Sequence, residues 1–212
     1  MPQPQAERVV EVLQKRYTEK GMVDMGNPEH TLIATLLSAR TTDVQVLRVY
    51  PGLRAAFPLL SDLAQAKESE IAKLISSIGL YRNKAKAIKA LARILLDEFE
   101  GKVPRTMEEL VRLPGVGRKT ASCVLWYGYG FPAMAVDTHV FRIAHRLGWA
   151  RGKTAERVEE ELVQVIPRVL WGEVNRVFVQ FGRDICRPGK PQCWRCPVAK
   201  WCAFSPKIRP PV

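Results

Sequence analysis

The spacing of apolar positions is helical almost from end to end, and no stretch alternates apolar with polar residues as a half-buried strand does. Val9, Val10, Leu13 and Tyr17 form a first stripe, which ends at Gly21. Asn27 and Pro28 suit the N-cap and first position of a helix carrying Leu32, Ile33, Leu36 and Leu37. That helix runs into a polar knot, SARTTD at residues 38–43, whose threonines and aspartate fit a helix junction. Two shorter helices are predicted over residues 61–66 and 69–78, with Gly79 in the C′ position of the second. Leu80 and Tyr81 then make a turn before a helix face of Arg82, Lys84, Lys86, Lys89 and Arg93, five basic residues and no acid. A solvated face and a phosphate-binding face both account for it.

Thr106 and Glu109 have the spacing of a capping box and start a helix through Leu110, Val111 and Leu113, which Pro114 and Gly115 stop. Past the turn at residues 114–117, Arg118 and Lys119 open the next helix. Gly128, Gly130 and Pro132 predict a loop and a domain hinge. Asp137 suits the N-cap of a helix over 138–146, and helices over 154–166 and 172–183 follow. No internal repeat or low-complexity segment interrupts the pattern. The expected fold class is all-α.

Composition narrows the partner. The chain has 212 residues, 23.9 kDa, an apolar share of 47% and a formal net charge of +12 with a sequence pI near 9.8. That is enough for one large or two small cored domains, and it points to a polyanion. No apolar run approaches the roughly 18 residues of a membrane span, and MPQPQAERVV is not an apolar leader. Nucleic acid in the cytoplasm is therefore expected, and a membrane is not.

The densest chemistry lies in LPGVGRKTASCVLWYGYGFPAMAVD, residues 113–137. Gly115 and Gly117 allow positive φ and leave no side chain in the way, so the backbone N–H groups around Val116 can approach a phosphate. Arg118 and the following helix N-terminus favour an anion at the same place, which holds a strand without reading its sequence. Lys119 has two readings, a phosphate contact or a nucleophile. An amine attacks only when neutral, so an ordinary lysine pKa of about 10.4 must fall by roughly two to three units. The helix dipole supplies only about 0.3 to 1 kcal/mol of that, leaving the rest to Arg118 and to desolvation by substrate. Asp137 reads first as a cap, and an ionised carboxylate there is also able to stabilise positive charge on a sugar. His139 is either a DNA contact in a pocket or a ring packed on its neighbours.

Five cysteines without a secretory leader argue against disulfides. Cys123 lies on an apolar helix and reads as core. Cys186, Cys193, Cys196 and Cys202 have the spacing C-x6-C-x2-C-x5-C, a strong signal for a soft metal centre, zinc or iron–sulfur by chemistry alone. The last thirty residues hold seven Lys or Arg against one acid. Arg187 and Lys190 fall between the first two cysteines and are candidate phosphate contacts.

These motifs resemble the endonuclease III family of DNA repair glycosylases. The likeness extends over LLSARTTD, IGLYRNKA, VPRTMEEL, LPGVGRKTA, VDTHVFR and the cysteines, nearly the whole chain. It implies two helical domains with a DNA-binding cleft, a helix-hairpin-helix motif and a C-terminal iron–sulfur loop. One domain would be a six-helix unit over residues 21–131. The other would join residues 1–20 to 132–212, with a [4Fe–4S] cluster on the loop at 186–202. The resemblance makes Lys119 the residue that attacks C1′ of a damaged nucleotide, with Asp137 assisting at the mouth of the cleft. Leu80 corresponds to the apolar residue that enters the duplex. Arg40 stands where the family usually has a glutamine that fills the gap left by the extruded nucleotide, a departure that bears on lesion preference rather than on the reaction.

The expected function is a bifunctional glycosylase and abasic-site lyase acting on oxidised pyrimidines in damaged double-stranded DNA, as a nucleoid-associated monomer. A monofunctional enzyme like the adenine glycosylases is the alternative within the enzyme class, disfavoured by Lys119 and by the end at Val212. A non-catalytic DNA-binding module with a structural metal is the alternative outside it.

Overall fold

The computed structural model describes residues 3–21 and 24–208, so the expected domain ends at residues 1 and 212 lie outside the described residues. Among those residues there are eleven α-helices and no strand. They fall into two compact units, Met22–Phe131, and Met1–Gly21 with Pro132–Val212.

The first unit is built on α2 (Pro28–Ser38). Asn27 Oδ1 accepts from the amides of Glu29 and His30 at 2.9 and 3.1 Å, so this helix starts where its cap chemistry says. Residues 31–37 are all buried, as in a helix enclosed on every side. Each large aliphatic side chain among them contributes about 1.5–3 kcal/mol. Helix α3 (Asp43–Ala56) follows the polar knot, with Thr42 as N-cap and Pro51 inside it. This helix was not marked out by the apolar spacing, because its stripe is weak and its proline reads as a stop. Next come α4 (Leu60–Gln65), α5 (Glu68–Leu74) and the long α6 (Tyr81–Phe99), which packs on both. Helix α6 buries Ala85, Ile88, Leu91, Ala92 and Leu95 and closes on left-handed Glu100 and Gly101, whose amide reaches Leu95 O at 2.8 Å.

Two helices end earlier than expected. Helix α5 stops at Leu74 rather than at residue 78, and three-residue turns such as Ile78 N to Ile75 O carry the chain on. Helix α7 (Met107–Leu110) likewise gives way to tight turns through Leu113, because Pro114 disfavours helical backbone in the residue before it. Its start is as expected: Thr106 Oγ1 accepts from Glu109 N and donates to the Glu109 carboxylate at 2.6 Å. Helix α8 (Arg118–Cys123) continues directly into a π-helical turn, Val124–Gly128.

Gly128 is a packing residue rather than a hinge, since a Cβ there would lie 2.8 Å from Pro28 Cα. Helix α2 packs on both α8 and the π turn.

The second unit holds α1 (Gln3–Arg16), α9 (Thr138–Leu147), α10 (Ala155–Val165) and α11 (Trp171–Asp184). Val9, Val10 and Leu13 share a core with Val140, Ile143, Leu162, Val177 and Phe178. Helix α11 is fastened to the N-terminal segment by Tyr17 Oη donating to Asp184 at 2.8 Å and by Arg176 on the Tyr17 and Glu19 carbonyls.

Candidate active site

The hairpin of residues 113–118 is seated on two helices. Gly115 has φ +77°, and a Cβ there would meet Ala87 Cβ of α6 at 3.1 Å and Leu36 Cδ1 of α2 at 3.2 Å. Glycine is required for both backbone and space. Of the two hairpin glycines only Gly115 uses positive φ. Gly117 is the extended N-cap of α8 (φ −96°, ψ 175°), and a Cβ there would meet nothing within 4 Å. It therefore leaves open surface over a helix N-terminus that has no side-chain cap. Val116 is buried between the two glycines, Arg118 is exposed and Lys119 is half-buried on the first turn. Cys123 is fully buried core, as expected.

Arg40 and Leu80 form exposed tips in the same unit, and both are left-handed, at φ 52° and 59°. For such side chains that backbone costs about 1–2 kcal/mol each. Leu80 is 51% exposed, an apolar side chain turned to solvent rather than to the core. Gly79 is not the left-handed C′ residue expected of it. Its role is close approach, since a Cβ would lie 3.3 Å from Arg40 O. The basic face also needs correction. Arg82, Lys86 and Arg93 are exposed, but Lys84 is buried, its Nζ donating to Leu37 O at 2.7 Å and Thr41 Oγ1 at 2.8 Å. Arg93 is partly committed as well, through Nε to Ala64 O at 3.2 Å.

In the second unit Asp137 caps α9. Its Oδ1 accepts from His139 N at 2.9 Å and Val140 N at 2.8 Å, which fixes the carboxylate at the helix start. The His139 ring sits against α11 at Gly182, where a Cβ would come within 2.4 Å of Nδ1, and the same nitrogen is 3.2 Å from Arg142 Nη2. The ring is thus packed on its neighbours.

The four clustered cysteines line one pocket with Ile143, Phe181 and Val198. Helix α9 grips the loop that carries them. Arg142 donates to Cys186 O, and Arg146 donates to Cys186 Sγ at 3.2 Å, Arg187 O at 2.7 Å and Pro188 O at 2.6 Å. Cys202 Sγ in turn lies 3.1 Å from Arg146 O. Burial pushes the Cys196 thiol up to about 11, and the neighbouring cysteines add to it. Burial also raises the Cys186 thiol, while Arg146 and Arg142 pull it down. Among the described residues no three His, Cys, Asp or Glu side chains converge closely enough to hold a single ion. Lys190 lies at the exposed loop tip, and exposed Arg187 has its Nε on the Arg183 and Asp184 carbonyls at the end of α11.

The sequence matches the HhH-GPD superfamily of base excision DNA repair proteins over residues 33–168. It is 45% identical to endonuclease III of Thermotoga maritima over 178 residues, 84% of each chain. The chain belongs to the endonuclease III family. Endonuclease III of Escherichia coli is 37% identical over 186 residues, 88% of each chain. A trapped covalent endonuclease III–DNA intermediate superposes with a TM-score of 0.89 at 38% identity, covering 96% of both chains.

As an endonuclease III family member the protein is a base excision repair enzyme, a DNA glycosylase with abasic-site lyase activity. The family carries a [4Fe–4S] cluster, and this chain has four cysteines gathered near its C-terminal end. The superfamily match ends before Cys186, so for that loop the likeness rests on the fold, which matches over 96% of the chain.

Within the first unit the structure brings the hairpin, Arg40 and Leu80 onto α2 and α6. Within the second it brings Asp137, His139 and the cysteine loop onto α9. Sequence reasoning missed Lys84, Arg142 and Arg146. The spacing of the two arginines, four apart on α9, was the available signal, since it puts both on one helix face.

Proposed function

We propose that this endonuclease III-type enzyme removes oxidised or ring-saturated pyrimidines such as thymine glycol from duplex DNA, with Lys119 as nucleophile. The observation that carries the reading is the placing of Lys119 on the first turn of α8, directly after an extended, uncapped Gly117 with open space above it. The neutral Lys119 amine attacks C1′, and the damaged base leaves with the electrons of the glycosidic bond. The sugar ring opens to give a Schiff base between Nζ and C1′. Loss of a C2′ proton then expels the 3′ phosphate by β-elimination, and water releases the enzyme.

Asp137, held in place by two backbone amides, stabilises the positive charge that develops at C1′. The backbone of residues 115–117 and the Arg118 side chain hold a phosphate of the lesion strand. Leu80 enters the stack beside the flipped nucleotide, and Arg40 occupies the space it leaves. Lys190 and the free end of the Arg187 side chain add phosphate contacts. His139 serves the DNA surface only indirectly, by fixing the start of α9 against α11.

Cys186, Cys193, Cys196 and Cys202 would hold the [4Fe–4S] cluster. Four thiols around one pocket fit a soft metal centre, and the family likeness favours iron–sulfur over zinc. When bound, the cluster supplies the thiolates' counter-charge and orders the loop that bears Arg187 and Lys190. The enzyme works as a monomer on chromosomal DNA in the cytoplasm. Its net charge of +12 supports a DNA partner. Among the described residues no helix is long and apolar enough to cross a membrane.

The test is product analysis on a duplex with one thymine glycol. The parent enzyme is expected to release the base and to cut the strand on its 3′ side without added alkali. Lys119→Gln is expected to lower both by at least about 10³-fold while binding within a few fold of the parent. Undiminished strand cutting by Lys119→Gln would overturn the assignment.

A further inference from the structure

Arg40 and Leu80 lie on separate loops, yet one residue, Lys84, is bonded to both stretches, by its backbone amide to one and by its side chain to the other. Lys84 is 5% exposed. Its amide donates to Leu80 O at 3.0 Å, closing the first turn of α6 onto the loop that ends in Leu80. Its Nζ crosses to α2 and donates to Leu37 O at 2.7 Å and Thr41 Oγ1 at 2.8 Å, on either side of Arg40 in the chain.

The acceptors explain why a cation belongs there. At the C-terminal end of α2, Leu36 O accepts from Ala39 N and Ser38 O from Thr41 N. Leu37 O, between them, takes the lysine instead. An ammonium at the negative end of a helix is favoured electrostatically and fills an acceptor that the helix leaves over. Burial nevertheless lowers the pKa of this lysine. Its charged form bears a desolvation cost, so the position requires donors and not only a stem that fills space.

Two further contacts tie the same place together. Gly79 lets its backbone come up against Arg40 O. Gly115 of the hairpin rests on Leu36, the neighbour of Leu37, and on Ala87, three residues along α6 from Lys84. Both exposed tips are left-handed. Strained tips persist only when the surrounding structure holds them.

We propose that Lys84 is a positioning residue that locks the Arg40 and Leu80 loops into one rigid wedge, so that the two enter the duplex together. The proposal rests on the reading that Arg40 and Leu80 enter the duplex. Lys84 touches no reacting atom. It acts on the cost of extruding a nucleotide from paired DNA and not on the chemistry that follows.

The experiment uses the full-length enzyme and two substrates. One is a duplex with thymine glycol opposite adenine, the other a single-stranded oligonucleotide with an abasic site, which needs no extrusion. Lys84→Met keeps the stem and removes the donors, Lys84→Arg returns a buried cation, and Leu80→Ala reports on the underlying reading. Lys84→Met is expected to slow single-turnover base release from the duplex about tenfold or more, and to change Schiff-base formation on the single strand by less than about twofold. Lys84→Arg should recover part of the loss. Adding Lys84→Met to Leu80→Ala should cost little more than Leu80→Ala alone, because both remove the same wedge. Thr41→Val removes one of the two acceptors, should give the same pattern at smaller size, and carries the test if Lys84→Met does not fold. Lys84→Met at the parent rate on the duplex while Leu80→Ala is slow would overturn the proposal and leave the reading intact. Equal losses on duplex and single strand would also overturn it, by making Lys84 a purely structural residue. If Leu80→Ala and Arg40→Ala both kept the parent rate on the duplex, the reading itself would fail and the proposal with it.

Discussion

Asp137 spends one carboxylate oxygen on the amides of His139 and Val140, so its structural and chemical roles are separable by substitution. Asp137→Asn keeps a capping oxygen and loses the charge. It is expected to leave stability within about 0.5 kcal/mol of the parent, whereas Asp137→Ala should lose about 0.5–2 kcal/mol. Both should lower base release by a similar large factor. Chemical denaturation together with single-turnover kinetics checks this, and a retained rate in Asp137→Asn would leave the residue as a cap alone. This role was legible in the chain because capping is local: an aspartate before Thr138 and after an apolar stretch states its own geometry. Asn27 and Thr106 were legible for the same reason. Lys84 was not, because its partners Leu37 and Thr41 lie more than forty residues away, and a lysine among other basic residues reads as solvated. Gly79 was misread on the same ground, since the atom that requires it is a carbonyl of another loop.

At the scale of elements, the hairpin separates two uses of glycine. Gly115 is left-handed, and a Cβ there would press on Leu36 and Ala87. Gly115→Ala is expected to cost about 1–3 kcal/mol of unfolding free energy, read as a lower denaturant midpoint. Gly117 has ordinary extended backbone and open space, so Gly117→Ala should change stability by less than about 1 kcal/mol. Its added methyl group should instead weaken DNA binding, measured by titration of a labelled duplex. Equal destabilisation by the two alanines would contradict this division. The motif itself was plain from the spacing of its residues. The lengths of its flanking helices were not, because Pro114 tightens the end of α7 and a weak stripe with Pro51 conceals α3. Helix α9 joins two readings that the sequence presents far apart, starting at Asp137 and holding the cysteine loop through Arg142 and Arg146.

Over the whole molecule, the all-helical class, the excess of positive charge and the four-cysteine loop were legible because each is a property of pattern or count. The grouping of α1 with α9, α10 and α11 was expected only through the family resemblance, since nothing local in residues 3–16 says that their core partners lie beyond residue 133. The proposed function turns on Lys119 as nucleophile, on a hairpin that would grip DNA by its backbone. The most direct test is borohydride trapping on a thymine glycol duplex, with the adduct digested and its attachment site located by mass spectrometry. A covalent enzyme–DNA adduct whose modified residue is Lys119 is expected, and no adduct from Lys119→Gln. An adduct on another residue, or base release with no adduct from the parent enzyme, would contradict it.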